Sequence, residues 1–449
     1  MAIGVLSITT TTTWESSQRD QAGHRVGADL RISPVLDQGE VGGLGAGRVY
    51  ARLPGVRAVS PAFRDSVAIG AGSAQLLALD ADRLAEVMNL REDLSATPLA
   101  DLASALKAGR PSLGSVPIPG TPSVLSLPLR TQAPAPLDAA ILLTDADGVR
   151  WRLGLTDRGA GDERHLVADL ASPAGRAGKI AYPLALRGFS FGETGAPVVL
   201  GALTADQAEV PLPADVVWTG FEQSSLQGAA GVGEGRAKEV QAGEGALFGL
   251  DAIPARGKAV VLALPPDTPP ERVFGGTVDG RATLPQPLPV VITDELAAQE
   301  KLSAGTKLFL PFDATTSHLV VAAVVDSLPG TEVGEPAVLV DLPTIADRDV
   351  LTVNAPPRVT EWWAATADGD PSAATAVLAA HPGWSARVLD RQTVFTELRD
   401  DPLAGGLQGA LLVGFAAAVI FAGLGFAVNR RRRRPRTLGR TGDCCTRSG

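Results

Sequence analysis

The chain has 449 residues, too many for one compact hydrophobic core, so we expect two or three domains. Hydrophobic residues make up 45% and charged residues 20%, a balance that excludes a disordered chain. Eight arginines and one aspartate follow Asn429, so the tail carries +7 and residues 1–429 carry −16 of the net charge of −9. An acidic body of this size excludes nucleic-acid binding through bulk electrostatics.

Residues 1–13 are uncharged and rich in threonine, without the basic start or the cleavage site of a secretory signal. They are either the outer end of a first membrane helix or a weak export signal. Residues 26–32 and 56–63 have the pattern of strands, and residues 41–53 can form a short helix between them despite four glycines. This pattern predicts a β-α-β unit over 26–63.

Two helices are predicted next. Residues 81–90 place their apolar side chains on one face, and a second helix has Thr97 as its N-cap, Pro98 in its first turn and Gly109 at its end. From 111 to 287 short apolar runs alternate with turn signals, among them Asp147-Gly148 and Asp279-Gly280. We interpret this segment as a β-sandwich insertion, with further strands at 198–203, 216–221, 246–250 and 259–264.

From residue 288 the sequence again has the pattern of alternating strands and helices. A strand at 290–292 is followed by a helix that Thr293 caps and Gly305 ends. A second β-α-β unit lies at 358–389, with its helix near 372–380. The other strands of this region are predicted at 307–312, 318–325 and 337–341.

Residues 403–428 contain no charge, and 409–428 alone span about 30 Å as a helix, the thickness of a bilayer core. We therefore predict a transmembrane helix at 403–429. Asp400 and Asp401 precede it and five arginines, 430–434, follow it. Because positive flanks stay in the cytoplasm, we expect a plasma-membrane protein whose body is extracytoplasmic and whose tail, 430–449, is cytoplasmic.

Residue types that build common active or metal sites are scarce. The only two cysteines are adjacent in the tail, and no Walker A motif is present. We predict no catalytic, cofactor-binding or metal-ligating residues, and neither ATPase nor esterase activity. The four histidines are far apart in the sequence, without the spacing of a metal site: His24, His165, His318 and His381.

Four short motifs favour structural interpretations. Ser190 lies in a G-x-S-x-G match, but a nucleophile elbow needs a helix after it and a β-like run follows here, so a strand or turn is favoured. Ser104 and Lys107 match S-x-x-K without its partner motifs. Residues 231–235 (GVGEG) read as a loop rather than a phosphate cradle. Trp362 and Trp363 are expected to contribute to the core and an interface rather than to a ligand surface.

Several stretches together resemble one family. Residues 14–32, 53–61 (LPGVRAVSP) and 289–329, and the apolar helix that follows LRDDPLAGGLQGA, are similar to FtsX-like permeases, the MacB type of ABC-transporter membrane subunit. The resemblance implies a MacB-like periplasmic core domain formed by 14–110 and 288–402. It covers both ends of the body and leaves 111–287 unmatched. The family has one helix before this domain and at least three after it, so we expect a fragment or frameshifted version.

The resemblance also implies function and partners. Such subunits couple ATP hydrolysis by a separate ATP-binding subunit to movement of the exported domain, and export or extract lipid, lipoprotein, peptide or drug. The implied partners are that ATP-binding subunit, the lipid bilayer, and a second copy or second permease subunit. The alternative is a single-pass, membrane-anchored surface protein whose β-sandwich binds glycan or protein.

The expected fold class is α+β: a membrane-proximal split ferredoxin-like base with an α/β subdomain, a β-sandwich insertion and one C-terminal transmembrane helix. The two β-α-β units, 26–63 and 358–389, are predicted to pair in one four-stranded sheet with helices on one face. Strands some 300 residues apart must then be direct neighbours.

Overall fold

A computed structural model gives the fold. The described backbone comprises residues 2–35, 39–70, 72–110, 114–159, 161–192, 198–211, 217–223, 235–240, 248–250, 258–263, 277–278, 281–282, 287–312, 315–351, 356–400 and 402–432. Side chains are described for these residues except those within 2–13, 217–282, 309–317, 350–351, 402–408, 410–412 and 430–432.

The described segments are mixed α+β, as predicted. The helices are α1 (Ala2–Val26), α2 (Gly43–Ala51), α3 (Leu84–Val87), α4 (Leu99–Lys107), α5 (Ala171–Ala174), α6 (Asp294–Glu300), α7 (Leu342–Leu351), α8 (Ser372–Ala380), α9 (Arg391–Arg399) and α10 (Pro402–Arg432). The chain divides into two units, residues 1–18 with 395–449, and residues 19–394, which we call the body.

The strands fall into one large sheet, two sheets of the insertion and one small hairpin. In chain order they are β1 (Leu30–Ser33), β2 (Val56–Ile69), β3 (Gly72–Leu79), β4 (Val116–Ile118), β5 (Val124–Thr131), β6 (Ala139–Thr144), β7 (Arg150–Gly154), β8 (Thr156–Asp157), β9 (Glu163–Asp169), β10 (Leu184–Phe191), β11 (Val198–Leu200), β12 (Thr204–Ala205), β13 (Ala208–Glu209), β14 (Val217–Gln223), β15 (Gly235–Val240), β16 (Phe248–Leu250), β17 (Lys258–Ala263), β18 (Thr277–Val278), β19 (Arg281–Ala282), β20 (Leu288–Thr293), β21 (Lys307–Phe312), β22 (Thr315–Val325), β23 (Ala337–Asp341), β24 (Glu361–Thr366) and β25 (Arg387–Asp390).

The large sheet has nine strands in the order β21-β22-β20-β23-β3-β2-β24-β1-β25. At one end of it, β24 lies between β1 and β2 and is antiparallel to both, so that Trp363 stands opposite Arg31 and Ser60. β25 then pairs with β1, with Leu30 opposite Asp390. The predicted pairing of the two β-α-β units in one sheet is therefore confirmed, although five further strands extend that sheet.

The helices of the two β-α-β units, α2 and α8, lie on the same face of this sheet, as predicted, and α3 and α4 cover the opposite face. Trp362 points into a core cluster with Tyr50 of α2 and Leu378 of α8. Trp363 points the other way, into a cluster with Leu84 of α3 and Leu102 of α4. Successive side chains of a strand point to opposite faces of the sheet. Both faces are apolar here, so each must be shielded from water by helices.

Three predicted boundaries are wrong for local reasons. α3 ends at Val87 because Met88 is extended, which lets the Asn89 N–H donate to the Gly27 carbonyl. α6 ends at Glu300, where Lys301 takes the left-handed conformation, and not at Gly305. α4 has Pro98, not Thr97, at its N-cap position.

Two further features differ from the sequence prediction. The Thr293 hydroxyl does not cap α6; it donates to the Glu335 carbonyl and accepts from the Ala337 N–H, linking β20 to the start of β23. The long strand β3 was missed, because its first half is built from small residues. It pairs with β2 from Ala62–Leu79 to Ile69–Gly72.

Segment 111–287 contains two mainly antiparallel sheets, with orders β15-β14-β17-β10-β6-β7 and β13-β12-β5-β11-β16. They share one core, to which β5 contributes Leu127, β6 contributes Ile141 and β10 contributes Phe189. This agrees with the predicted sandwich, and we call 114–211 with the described strands up to β19 the sandwich. Asp147-Gly148 joins β6 to β7 as predicted. Residues 279–280 and 231–234 lie outside the described residues.

The C-terminal segment is helical: α10 includes all of 403–429. Its described side chains from Val413 to Val428 are mostly exposed. Within the described part of the chain, no helix meets the length and apolarity needed to cross a membrane. Several side chains of 403–412, and all those of 1–13, lie outside that part, so both membrane assignments stay predictions.

Candidate functional site

The two catalytic-motif matches have structural positions. Ser190 is buried inside β10, paired with β6 on one side and β17 on the other, and its hydroxyl accepts from the Arg152 guanidinium at 3.2 Å. No turn isolates it as a nucleophile elbow requires. In α4 the Ser104 hydroxyl donates to the Ala100 carbonyl, and Lys107 pairs with Asp82 at 2.8 Å.

The tryptophan pair and the histidines do not converge on a site. Trp362 and Trp363 are both fully buried, so both belong to the core. His24 is buried against the Ser327 hydroxyl at 3.0 Å, and burial lowers the pKa of its imidazole. His381 stacks on Trp384. His165 is exposed and His318 is partly buried. Among the described residues, no group of three or more His, Cys, Asp or Glu side chains could hold a metal ion.

The strongest polar cluster near the ends of the body joins the chain before β1 to the chain after β25. We call it the terminal junction: Asp29, Asn89, Thr366 and Arg391. One Asp29 carboxylate oxygen accepts from the Thr366 N–H at 2.9 Å and hydroxyl at 3.2 Å. The other lies 3.5 Å from the Arg391 guanidinium and accepts from the Asn89 amide at 3.3 Å.

Backbone bonds reinforce the terminal junction. The Arg391 N–H donates to the Asp29 carbonyl, and its guanidinium donates to the Gly369 carbonyl at 3.1 Å. Gly27 has φ +84°, and a side chain there would lie 2.5 Å from the Trp363 ring. The end of α1 is therefore held tightly on the sheet, at the same point where the chain leaves it.

A second polar region, the sandwich junction, connects the sandwich to the large sheet. Its first part lies on the large-sheet side of the connection, where Arg110, which precedes the sandwich in the chain, is held against Asp341 at the end of β23. The fully buried carboxylate accepts two bonds from Arg110, at 2.8 and 2.9 Å, and one from the Ala81 N–H at 3.0 Å. Arg110 also contacts Asp80 and Asp82. These carboxylates raise the pKa of the Arg110 guanidinium, although its burial opposes the shift.

The second part of the sandwich junction surrounds Asp347 of α7. Its carboxylate accepts from Arg150 of β7 at 3.0 and 3.2 Å and from Arg187 of β10 at 3.0 Å. All three side chains are largely buried. A buried charge left without its partner is strongly destabilising, so α7 fixes two sandwich strands to the sheet.

The third part of the sandwich junction is a backbone contact made by α2. A side chain at Gly45 would lie 2.5 Å from the Ala174 carbonyl and 2.6 Å from the Gly178 Cα. The Gly42 N–H donates to the Ala174 carbonyl, and the Ala177 N–H donates to the Glu40 carbonyl. The glycines that weaken α2 as an isolated helix thus allow the sandwich to approach its backbone.

The outer face of the sandwich carries a shallow groove of about 250 Å³ across β9, β5 and β11. Pro128 and Gly201, both partly buried, line it together with the exposed residues Arg130, Glu163 and His165. Planar polar side chains of this kind can bond to hydroxyl or amide groups. The groove is therefore a candidate ligand site on the sandwich.

Sequence reasoning missed both junctions. Asp29 and Arg391 each stand beside a predicted strand, but nothing in the sequence pairs two residues so far apart. A scan against models of protein families, a search of curated proteins and a search of solved structures found no match to this chain.

Proposed function

We propose that the chain is the exported domain and one membrane helix of an ABC-transporter permease subunit of the FtsX-like, MacB type. The observation that carries the proposal is the pairing of β1 with β25, beside the terminal junction. The chain joins the large sheet at Leu30 and leaves it at Asp390, and these residues are paired neighbours. A domain inserted between two consecutive membrane helices must return its chain to the point of departure, and this body does so.

Two other features support the proposal. The order β2-β24-β1-β25, antiparallel throughout, is that of a split ferredoxin-like base. α10 exposes a long apolar surface, with acidic residues before it and arginines after it. In this proposal 403–429 crosses the plasma membrane, the body is extracytoplasmic, and ATP is hydrolysed by a separate partner subunit. Lipid, lipoprotein, peptide or drug is the substrate class, and the subunit pairs with a second copy or a second permease subunit.

A topology experiment tests the proposal. Protease is added to intact cells, and the body (19–394) and the tail (430–449) are followed with separate antibodies. We expect the body to be cleaved and the tail to be protected until the membrane is permeabilised. A protected body with an accessible tail would refute the orientation, and release of the protein by salt or alkaline washing would refute membrane insertion.

The outer groove favours the alternative, a single-pass surface protein whose sandwich binds glycan or protein. The two functions differ in genetic context. Translation of the neighbouring DNA in all three frames should reveal further membrane helices, and an adjacent gene for an ATP-binding subunit, only for the permease.

A further inference from the structure

Three arginines surround one glutamate on a single face of the large sheet, close to the edge that β25 forms. This face is the one on which Trp363 shares a core cluster with α3 and α4. The side chains come from four neighbouring strands, β2, β24, β1 and β25. We call the group, with the serine that lies among them, the arginine cluster: Arg31, Ser33, Arg64, Glu361 and Arg387.

The strand registers bring the arginine cluster together. Arg387 of β25 is directly opposite Ser33 of β1, and Arg31 is the next residue on the same face of β1. On β24, Glu361 is the diagonal neighbour of Arg31. Arg64 of β2 is in turn the diagonal neighbour of Glu361. Diagonal neighbours on one face of a sheet lie about 7–8 Å apart, which long side chains can span.

Glu361 does not neutralise the arginines around it. One of its carboxylate oxygens accepts from the Arg64 Nε at 3.1 Å and lies 3.8 Å from the Arg31 Nε. The other oxygen accepts from the Trp363 indole N–H at 3.1 Å. The Nη2 of Arg64 is buried without a hydrogen-bond partner. The cluster therefore holds three positive charges against one negative charge, and its one carboxylate is already shared.

The surplus positive charge is only partly screened by water. The side chain of Arg31 is 14% exposed and that of Arg64 is 19% exposed, whereas Arg387 is exposed. Burial, together with the like charges of Arg64 and Arg387, lowers the pKa of the Arg31 guanidinium to about 10, although Glu361 opposes the shift. Like charges held in a partly buried place repel one another, and an anion bound among them relieves that repulsion.

We propose that the arginine cluster binds a phosphate group, held by the guanidinium groups of Arg31 and Arg387, with the Ser33 hydroxyl as a further donor. Guanidinium groups bind phosphate oxygens through paired hydrogen bonds. The surplus of two positive charges matches a phosphate monoester, which carries about −1.5 to −2 at pH 7, better than a carboxylate. The phosphate group belongs to the free ion or to a lipid headgroup. The site depends on the folded sheet and not on the proposed transport function, so its failure and that of the topology experiment are separate results.

Titration calorimetry on the full chain in a neutral detergent tests the site. The probes are inorganic phosphate, dihexanoyl phosphatidic acid and acetate, at equal ionic strength. Acetate, with one charge, should bind about tenfold more weakly than the better of the two phosphate probes. Binding of inorganic phosphate identifies the free ion as a sufficient ligand, and binding of the lipid alone identifies a headgroup. If neither phosphate probe binds, or if acetate binds as tightly, the proposal is refuted.

Matched variants assign the binding to the arginine cluster. Arg387→Gln should weaken binding about tenfold, the effect of one lost hydrogen bond between charged groups, and it costs the fold little because Arg387 is exposed. Ser33→Asp places a carboxylate where the anion would bind and should abolish binding. Arg52→Gln, at an exposed arginine that ends α2 on the other face of the sheet, is the control and should bind as the wild type. If R387Q and S33D bind as tightly as R52Q, the phosphate group lies elsewhere and the proposal fails.

Discussion

Asp29 is the residue on which the terminal junction depends most. Its buried carboxylate is the acceptor for the N–H and hydroxyl of Thr366, which is fully buried, and it lies beside the Arg391 guanidinium. These hydrogen bonds contribute more to stability because they are buried. If the acceptor is removed, the buried donors have neither a protein partner nor water to bond to.

We predict that Asp29→Ala lowers the free energy of unfolding of the body by about 2–3 kcal/mol, through the buried donors of Thr366 that it leaves unpaired. Asp29→Asn should cost less, because its amide oxygen can still accept from Thr366. Denaturant titration of both variants measures the difference, with Asp138→Ala as a control at an exposed carboxyl. A D29A protein as stable as the control would show that the junction carries no energy.

At the scale of elements, α2 has a sequence that favours helix formation weakly, and it lies where the sandwich packs directly against its backbone. Three of its nine residues are glycine, each of which weakens a helix by about 1 kcal/mol relative to alanine. Packing explains them. A side chain at Gly45 would meet the backbone at Ala174 and Gly178, which cannot move aside as a flexible side chain would.

We therefore predict that Gly45→Ala destabilises the body by about 1–3 kcal/mol, the reverse of the usual gain from this substitution in a helix. The matched control is Gly414→Ala in α10, where nothing lies within 4 Å of the added carbon. The unfolding temperature of the body should fall in G45A and should stay at the wild-type value in G414A, whose substitution lies outside the body. A stabilised G45A protein would mean that the sandwich does not approach α2 this closely.

Local elements were predictable where local signals were complete. The bounds of α8, 372–380, and of β23, 337–341, agree with the sequence because an alanine-rich helix and an apolar strand are both set off by polar or turn residues. β3 was missed because small residues hid its alternation. The predicted length of α3 was too great, because the hydrogen bond from the Asn89 N–H to the Gly27 carbonyl requires an extended chain after Val87.

The polar sites were not predictable from the sequence. Asp29 meets Thr366 across 337 positions, and Asp347 meets Arg150 across 197. Short-range sequence patterns hold no information on such pairs. The sequence also does not distinguish an aspartate that is buried in the fold from one that is exposed. By contrast, the four-strand pairing could be predicted, because two β-α-β units at the ends of a body have few other ways to satisfy their edges.

At the scale of the whole molecule, the body closes on itself. The chain enters the sheet through β1 and leaves it through β25, and more than 350 residues separate these adjacent strands. Residues 19–26 of α1 and 391–394 of α9 belong to the body. In the proposed permease, displacement of either helix therefore acts on the sheet at one point.

This closure predicts a specific cross-link. Ser33 and Arg387 are register partners in β1 and β25, and neither is buried. Antiparallel partners have Cα atoms about 4.5–5.5 Å apart, within the range that a disulfide bridges. In a chain whose Cys444 and Cys445 are replaced by serine, Ser33→Cys with Arg387→Cys should form a disulfide on mild oxidation, detected by mass spectrometry of the linked peptides.

The control is Ser33→Cys with Ser66→Cys. Ser66 is exposed on β2, and β24 lies between β1 and β2, so the two positions are about 10 Å apart or more and beyond the reach of a disulfide. The 33–387 link should form with no loss of thermal stability, because it joins residues that are already neighbours. If it fails to form, or forms no faster than the 33–66 link, then β1 and β25 are not adjacent. The chain then does not return to its point of departure, and the observation that carries the permease proposal is removed.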